Sequence, residues 1–119
     1  MPTTLTIWGR RSSFNVQKVL WALDEIGLKY EHRNAGGSHG GLDDPAFLAM
    51  NPHGLVPVIR DEEGSVWESN SIVRYLCAKH SRGNLWMDDP FARSRGYKVE
   101  FAKGSVKQAI QGIVGSINA

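Results

Sequence analysis

Apolar residues along this chain switch between a strand-like and a helix-like spacing, and the switches outline a fold. Leu5 to Trp8 is a short run of β-formers that stops at Gly9 and predicts a first strand. Val16, Val19, Leu20, Leu23 and Ile26 then recur at helical spacing until Gly27, which predicts an amphipathic helix beginning near Phe14. Leu28 to Arg33 returns to strand character, and a helical crossover makes this strand parallel to the first. Asp43 or Asp44 can cap a short helix with Pro45 in its first turn and Phe47, Leu48 and Met50 facing inward. Pro57 to Arg60 and Ser65 to Trp67 flank the turn D-E-E-G, as expected of an antiparallel hairpin. A last helix runs from Ser69 to His80 with Ile72, Val73, Leu76 and Cys77 on its buried side. The element order is β-α-β, then α, then β-β-α, an α/β chain with a mixed sheet.

The pattern changes after Gly83. Asp89-Pro90 is a good helix start, and Val99, Ala102, Val106, Ile110, Ile113 and Ile117 lie near helical spacing. Gly96, Gly104, Gly112 and Gly115 weaken that helix, each by about 1 kcal/mol relative to alanine. An apolar stripe on a helix needs a surface to cover it. The expectation is therefore a first domain over residues 1–83, followed at 84–119 by a linker and the first helix of an incomplete all-α C-terminal domain.

Composition narrows the function classes. The 119 residues are 41% hydrophobic and 22% charged, ordinary for a soluble domain with a modest core. No apolar run approaches the roughly 18 residues of a membrane span, and the start lacks a signal-peptide layout. A net charge of +2 with interspersed signs gives no basic stripe, so nucleic acid is not an expected partner. The single cysteine, Cys77, rules out an internal disulfide and a C-x-x-C redox pair, and suits a reducing, cytoplasmic setting. The four histidines have no metal-ligand spacing, and no metal is expected.

The stretch Asn51 to Ile72 carries the most chemistry. Its N-P-H-G-L-V-P-V-I segment opens an apolar strand with the X-Pro bond Val56-Pro57. After a short acidic turn, Glu68-Ser69 starts a helix. Ser69 reads as its N-cap, where backbone N–H groups and the helix dipole favour an anion, and Glu68 adds a carboxylate. Together these supply open backbone groups, an acid and a helix N-terminus, the equipment for a short peptide with its own ammonium and carboxylate. Each piece also has a plainer meaning: a proline that merely begins an edge strand, and an ordinary helix cap. The glycine-rich loop Asn34 to Leu42 lacks the Lys-Ser/Thr ending of a phosphate-binding loop and reads as a flexible connection. Cys77, on an apolar helix face, reads as a core thiol.

The β-α-β-α-β-β-α order, L-V-P-V entering a strand and the following E-S-N-S-I resemble the thioredoxin-like N-terminal domain of cytosolic glutathione S-transferases. W-G-R-R-S-S-F-N-V-Q-K-V-L and W-E-S-N-S-I-V-R-Y-L are most similar to a bacterial branch of that family. The resemblance spans Leu5 to Asp89 well and Pro90 to Ile117 loosely. It implies a thioredoxin-like βαβ-α-ββα domain with a mixed four-stranded sheet, and glutathione as co-substrate. Val56-Pro57 would be cis, with the Val56 backbone pairing with the cysteinyl part of glutathione as an added strand does. The γ-glutamyl carboxylate would sit at Ser69 and its ammonium at Glu68. His53 would approach the glycyl end, a role Lys18, Arg10 or His39 could share.

The thiol would lie at the turn from Arg10 to Asn15, where the candidates are Ser13, Asn15 and Ser12, with Ser13 favoured. A hydroxyl or amide donor and the helix N-terminus would lower the pKa of the bound thiol for attack on an electrophile or disulfide. A homodimer is the family's usual state when full-length. The alternative is a non-catalytic glutathione-binding or protein-interaction module. A glutaredoxin-type dithiol cycle is disfavoured because no cysteine occupies the turn.

Overall fold

The computed structural model describes residues 5–82, 85–86 and 89–91. β1 (Thr6–Trp8) leads into α1 (Phe14–Ile26), which starts at the cap Ser13 and ends at Gly27 in the left-handed region, φ 83°. The Ser13 hydroxyl accepts the Val16 amide at 3.4 Å, as an N-cap should. β2 (Glu31–Arg33) is followed by a single 3₁₀ turn over Gly37–His39 and by α2 (Pro45–Met50), capped by Asp44. β3 (Val58–Asp61), β4 (Gly64–Trp67) and α3 (Ser69–His80) complete the order. The sheet order is β2-β1-β3-β4, with β1 parallel to β2 and antiparallel to β3, and β3 antiparallel to β4. This is the mixed four-stranded, thioredoxin-like sheet expected from the sequence.

Strand alternation divides the sheet into two faces. Ile7 and Ile59 are paired and point to the side where α1 and α3 pack together, burying Val16, Val19, Leu20, Leu23, Ile72, Val73, Leu76 and Cys77. Each such aliphatic side chain contributes roughly 1.5–3 kcal/mol on full burial. Burial pushes the Cys77 thiol up to about 12, which leaves it protonated and inert, as the sequence suggested. Thr6, Trp8, Val58 and Arg60 face the other side, where α2 lies and Phe47 is buried.

Several expectations need correction. The second strand begins at Glu31 rather than Leu28, because Gly27 and Leu28 both donate back to the Leu23 carbonyl and finish the helix end. Leu48 does not face inward: it is 37% exposed, since one short helix of six residues can turn only one side to the sheet. Ile26 is half-buried at the end of its stripe. The glycine loop is more ordered than a flexible connection, with Gly36 N–H donating to the Gly40 carbonyl at 2.9 Å. The helix expected beyond Asp89 lies outside the described residues apart from Pro90 and Phe91, which are helical, and the division at residues 83 and 84 lies outside them too.

A polar clasp ties the hairpin turn to α3. Lys79 Nζ lies 3.1 Å from Asp61 and 3.2 Å from Glu63, and also pairs with Glu62. The Tyr75 hydroxyl donates to Asp61 and shares a 2.8 Å contact with Glu63. Burial opposes ionisation of Asp61, but the Tyr75 hydroxyl, the Glu63 amide and the Lys79 ammonium outweigh it and hold the carboxyl below the usual range. Lys79 likewise lowers Glu62, and Tyr75 with Lys79 lowers Glu63. A depressed folded-state pKa stabilises the fold above the unfolded value, about 4, and that contribution is lost as pH falls through the folded value. The melting temperature should thus drop as pH is lowered below about 4. Lys79→Met should lower it at neutral pH by a few degrees at most, since largely exposed ion pairs contribute only about 0–1 kcal/mol. The two proteins should converge in acid, as differential scanning calorimetry across pH will show.

Candidate functional site

The loop between α2 and β3 is shaped by one buried amide. Asn51 is 2% exposed, and its own N–H donates to the Phe47 carbonyl, ending α2. Its side-chain oxygen accepts the His53 N–H at 3.0 Å, and its side-chain nitrogen donates to the Leu55 carbonyl at 2.9 Å. The N-P dipeptide announced a turn here, and a buried asparagine that mimics backbone is how such turns are held. The chain is thereby delivered to Val56-Pro57, which is cis.

Val56 lies outside the strand ladder. Among the described residues, neither its N–H nor its carbonyl has a hydrogen-bond partner. These groups belong to a half-buried residue, where open backbone polar groups are uncommon. The opening is not a sheet edge, however: β3 is an interior strand, and the free groups arise because Val56 precedes it.

Two helix N-termini converge beside this residue. The cap of α3 is Glu68, not Ser69: the Glu68 carboxylate accepts the Ser71 N–H at 3.2 Å, and Ser69 is the first helical residue. Both bonds to Ser71 use Oε2 of Glu68, leaving Oε1 unengaged among the described residues. Glu68 has φ 76°, a left-handed backbone conformation that costs a non-glycine residue about 1–3 kcal/mol. With its cap role taken, the buried Ser69 hydroxyl turns to α1 and donates to Asn15 Oδ1 at 3.4 Å. Lys18 donates to Asn70 at the same distance, 3.4 Å, one turn further along α1.

Asn15, His53, Val56, Pro57, Glu68 and Ser69 line one cleft of about 140 Å³, joined by Asn51, Leu55 and Trp67. Ser12 and Ser13 are not among the lining residues: Ser12 accepts from Arg10 at 3.0 Å, and Ser13 is occupied as the α1 cap. Trp67 meets the His53 ring edge-on, with centroids 4.9 Å apart. Sequence reasoning missed Asn51, Leu55 and Trp67. The N-P turn signal pointed to the first and strand alternation before Glu68 to the last, whereas nothing distinguished Leu55. Elsewhere among the described residues, Asp61, Glu62 and Glu63 are close enough to share a cation, but the Lys79 ammonium already lies among them. No helix among the described residues is long and apolar enough to cross a membrane.

Comparison with known proteins agrees with the fold. The family model described as "Glutathione S-transferase, N-terminal domain" matches residues 8–84. Glutathione S-transferase GstB of Escherichia coli strain K12 is 46% identical over 113 residues, 92% of this chain and 54% of the relative. The crystal structure of the theta class glutathione S-transferase from Xanthomonas axonopodis pv. citri with glutathione bound is 40% identical with a TM-score of 0.71, covering 87% of this chain and 52% of that one. Ure2p in complex with glutathione is 26% identical with a TM-score of 0.67, covering 82% and 44%. The chain spans about half the length of these relatives.

Asn51→Ala should remove both loop bonds and cost about 1–3 kcal/mol by equilibrium denaturation, since the Leu55 carbonyl and the His53 N–H both lose their partner. Asn51→Asp keeps the acceptor for His53 but not the donor for Leu55. It should be destabilised as well, and most of all at neutral pH, where the introduced carboxylate is ionised.

Proposed function

Because the chain belongs to the glutathione S-transferase family through its N-terminal domain, we propose that its cleft binds glutathione and stabilises the thiolate for attack on a small electrophile or disulfide. The observation that carries this is the unpaired N–H and carbonyl of Val56, facing a carboxylate and two helix N-termini in one cleft. Backbone groups left open in this way suit an extended peptide that adds like a strand. The cysteinyl residue of glutathione takes the Val56 groups. Its γ-glutamyl carboxylate takes the Ser69 amide at the α3 N-terminus, and its ammonium takes Oε1 of Glu68. His53, held by Trp67, is aimed at the glycyl carboxylate. The relatives solved with glutathione bound are consistent with this ligand.

The thiol then falls near Asn15 and the N-terminus of α1. Ser69 donates to the Asn15 oxygen and so leaves the Asn15 amide nitrogen to donate to sulfur. Chemically the step is simple: the S–H proton leaves to solvent, and the sulfur lone pair forms a bond to an electrophilic carbon or to one sulfur of a disulfide, expelling the leaving group. Residues 84–119 we read as the start of a second, helical domain that supplies the electrophile wall. The exposure of Phe14 and Trp21 on α1, 82% and 45%, supports such a packing partner. A homodimer, no metal, and neither nucleic acid nor membrane as partner complete the proposal. A non-catalytic glutathione-binding module is the second reading, favoured by one fact: no serine hydroxyl from the turn before α1 lines the cleft.

Two experiments test the site. The chain should be retained on immobilised glutathione, and Glu68→Ala combined with Ser69→Ala should weaken binding by about tenfold or more, given roughly 1.5–3 kcal/mol for the charged hydrogen bond to Glu68. Retention unchanged by the double substitution would overturn the assignment. Ultraviolet titration of the bound thiolate separates the candidate donors. Asn15→Ala should raise the thiol pKa by about one unit or more, the effect of one hydrogen bond to a charged group. Ser13→Ala should chiefly cost helix stability, about 1 kcal/mol. Turnover that survives in neither the parent nor the variants would favour the binding-module reading.

A further inference from the structure

Between β1 and α1 the chain turns from Gly9 to Ser13, and the thiol side of the proposed glutathione site depends on how that turn is held. Gly9 lies directly beneath the first turn of α1: a Cβ on it would stand 2.4 Å from Cγ2 of the buried Val16. Both of its backbone groups are taken by β2. Its N–H donates to the Arg33 carbonyl at 2.9 Å, and its carbonyl lies 2.6 Å from Nε2 of His32. A carbonyl oxygen only accepts, so the facing ring nitrogen carries the proton, in the neutral ring and in the imidazolium alike.

Register lets His32 reach this carbonyl. It pairs with Ile7 in the parallel β1–β2 ladder, and paired residues point to the same face, the one that α1 covers. The half-buried ring therefore stands beside the end of β1. The next two carbonyls are held as well. That of Arg10 accepts the Ser13 N–H at 3.1 Å, and that of Arg11 accepts from Nε2 of Gln17 at 2.8 Å. The first two amides of α1, on Phe14 and Asn15, have no acceptor among the described residues. Three negative carbonyl ends are thus engaged beside a helix N-terminus whose positive N–H ends stay open.

We propose that His32 and Gln17 are positioning residues for the thiol, acting through the turn and not on the sulfur. By holding the Gly9 and Arg11 carbonyls they keep oxygen dipoles from swinging toward the α1 N-terminus, where a thiolate is stabilised only while N–H groups face it. Released from His32, the Gly9 carbonyl remains pressed against the first turn of α1, which seats on that glycine. This inference rests on the proposed glutathione site, because it concerns the sulfur of that ligand. Neither residue lines the cleft. The peptide contacts proposed at Val56, Glu68 and Ser69 do not need them, so removing them separates thiol activation from binding.

The test applies two assays to the full chain. Glutathione immobilised through its sulfur has no free thiol and reads the peptide contacts alone, whereas ultraviolet titration with free glutathione reads the bound thiolate. His32→Leu should raise the bound thiol pKa by about half a unit, the size of one helix-end contribution, and leave retention unchanged. His32→Gln, whose amide can donate in place of the ring, should bring the pKa back toward that of the parent. Gln17→Met, at a partly exposed helix position, should shift the pKa in the same direction as His32→Leu. A parent that the resin does not retain would overturn the glutathione reading itself, and a retained parent whose thiol titrates like free glutathione would overturn thiolate activation. With activation seen in the parent, a pKa unmoved by His32→Leu overturns the positioning role alone, as does a glutamine variant shifted as far as the leucine one. Where circular dichroism shows that His32→Leu does not fold, an unmoved pKa in Gln17→Met overturns it instead.

Discussion

A buried amide that must find partners holds the functional half of this molecule together. Asn51 has almost no access to water, so its oxygen and nitrogen have to be satisfied by protein. They reach forward to His53 and Leu55 while its backbone reaches back to Phe47. Those contacts fix where α2 stops and where β3 can begin. Between the two, Val56 is carried past without joining the ladder, and its open N–H and carbonyl follow from that placement.

A second constraint acts at the other wall of the cleft. Glu68 occupies a backbone region that glycine would adopt without strain. Glycine could not supply the carboxylate that caps Ser71 and still offers a free oxygen to the cleft. The strain is thus tied to a side chain doing two things at once. It also frees Ser69 from capping, and Ser69 uses that freedom to join α3 to α1 through Asn15. Polar contacts of 3.4 Å join the two helix N-termini above the apolar core that packs α1 against α3.

Most of the fold was legible because it depends on periodicity. The stripe from Val16 to Leu23, the buried face of α3 and the D-E-E-G hairpin each repeat at their expected spacing, and the core follows from them. Positions that depend on geometry between elements were not legible. Leu48 was assigned inward because it is apolar, but which side of a one-and-a-half-turn helix meets the sheet is decided by the entry angle at Asp44. Ser69 looked like a cap because serine usually is one, and only the unusual backbone at Glu68 moves the cap back by a residue. At the site, residues set by chain order came through: Val56, Pro57, Glu68, Ser69, His53 and Asn15 all reach the cleft. Ser12 and Ser13 do not, because the turn before α1 spends their hydroxyls on Arg10 and on the helix cap.

That last difference separates holding a peptide from activating its thiol. A free thiol has a pKa near 8.5, and making it mostly anionic at neutral pH needs a shift of about two units, or some 2.7 kcal/mol. The α1 N-terminus contributes typically 0.3–1 kcal/mol, and up to about 2 where partly buried. A hydrogen bond to the charged sulfur adds about 1.5–3 kcal/mol. The helix end alone falls short, and the two together span a range of about 2–5 kcal/mol that includes the shift needed. With the serines committed elsewhere, the proposed function makes the Asn15 amide the donor, oriented by Ser69 on the neighbouring helix. On the proposed reading, binding rests on the Val56 backbone groups together with the Glu68 carboxylate, whereas thiolate formation rests on one amide and the hydroxyl that aims it.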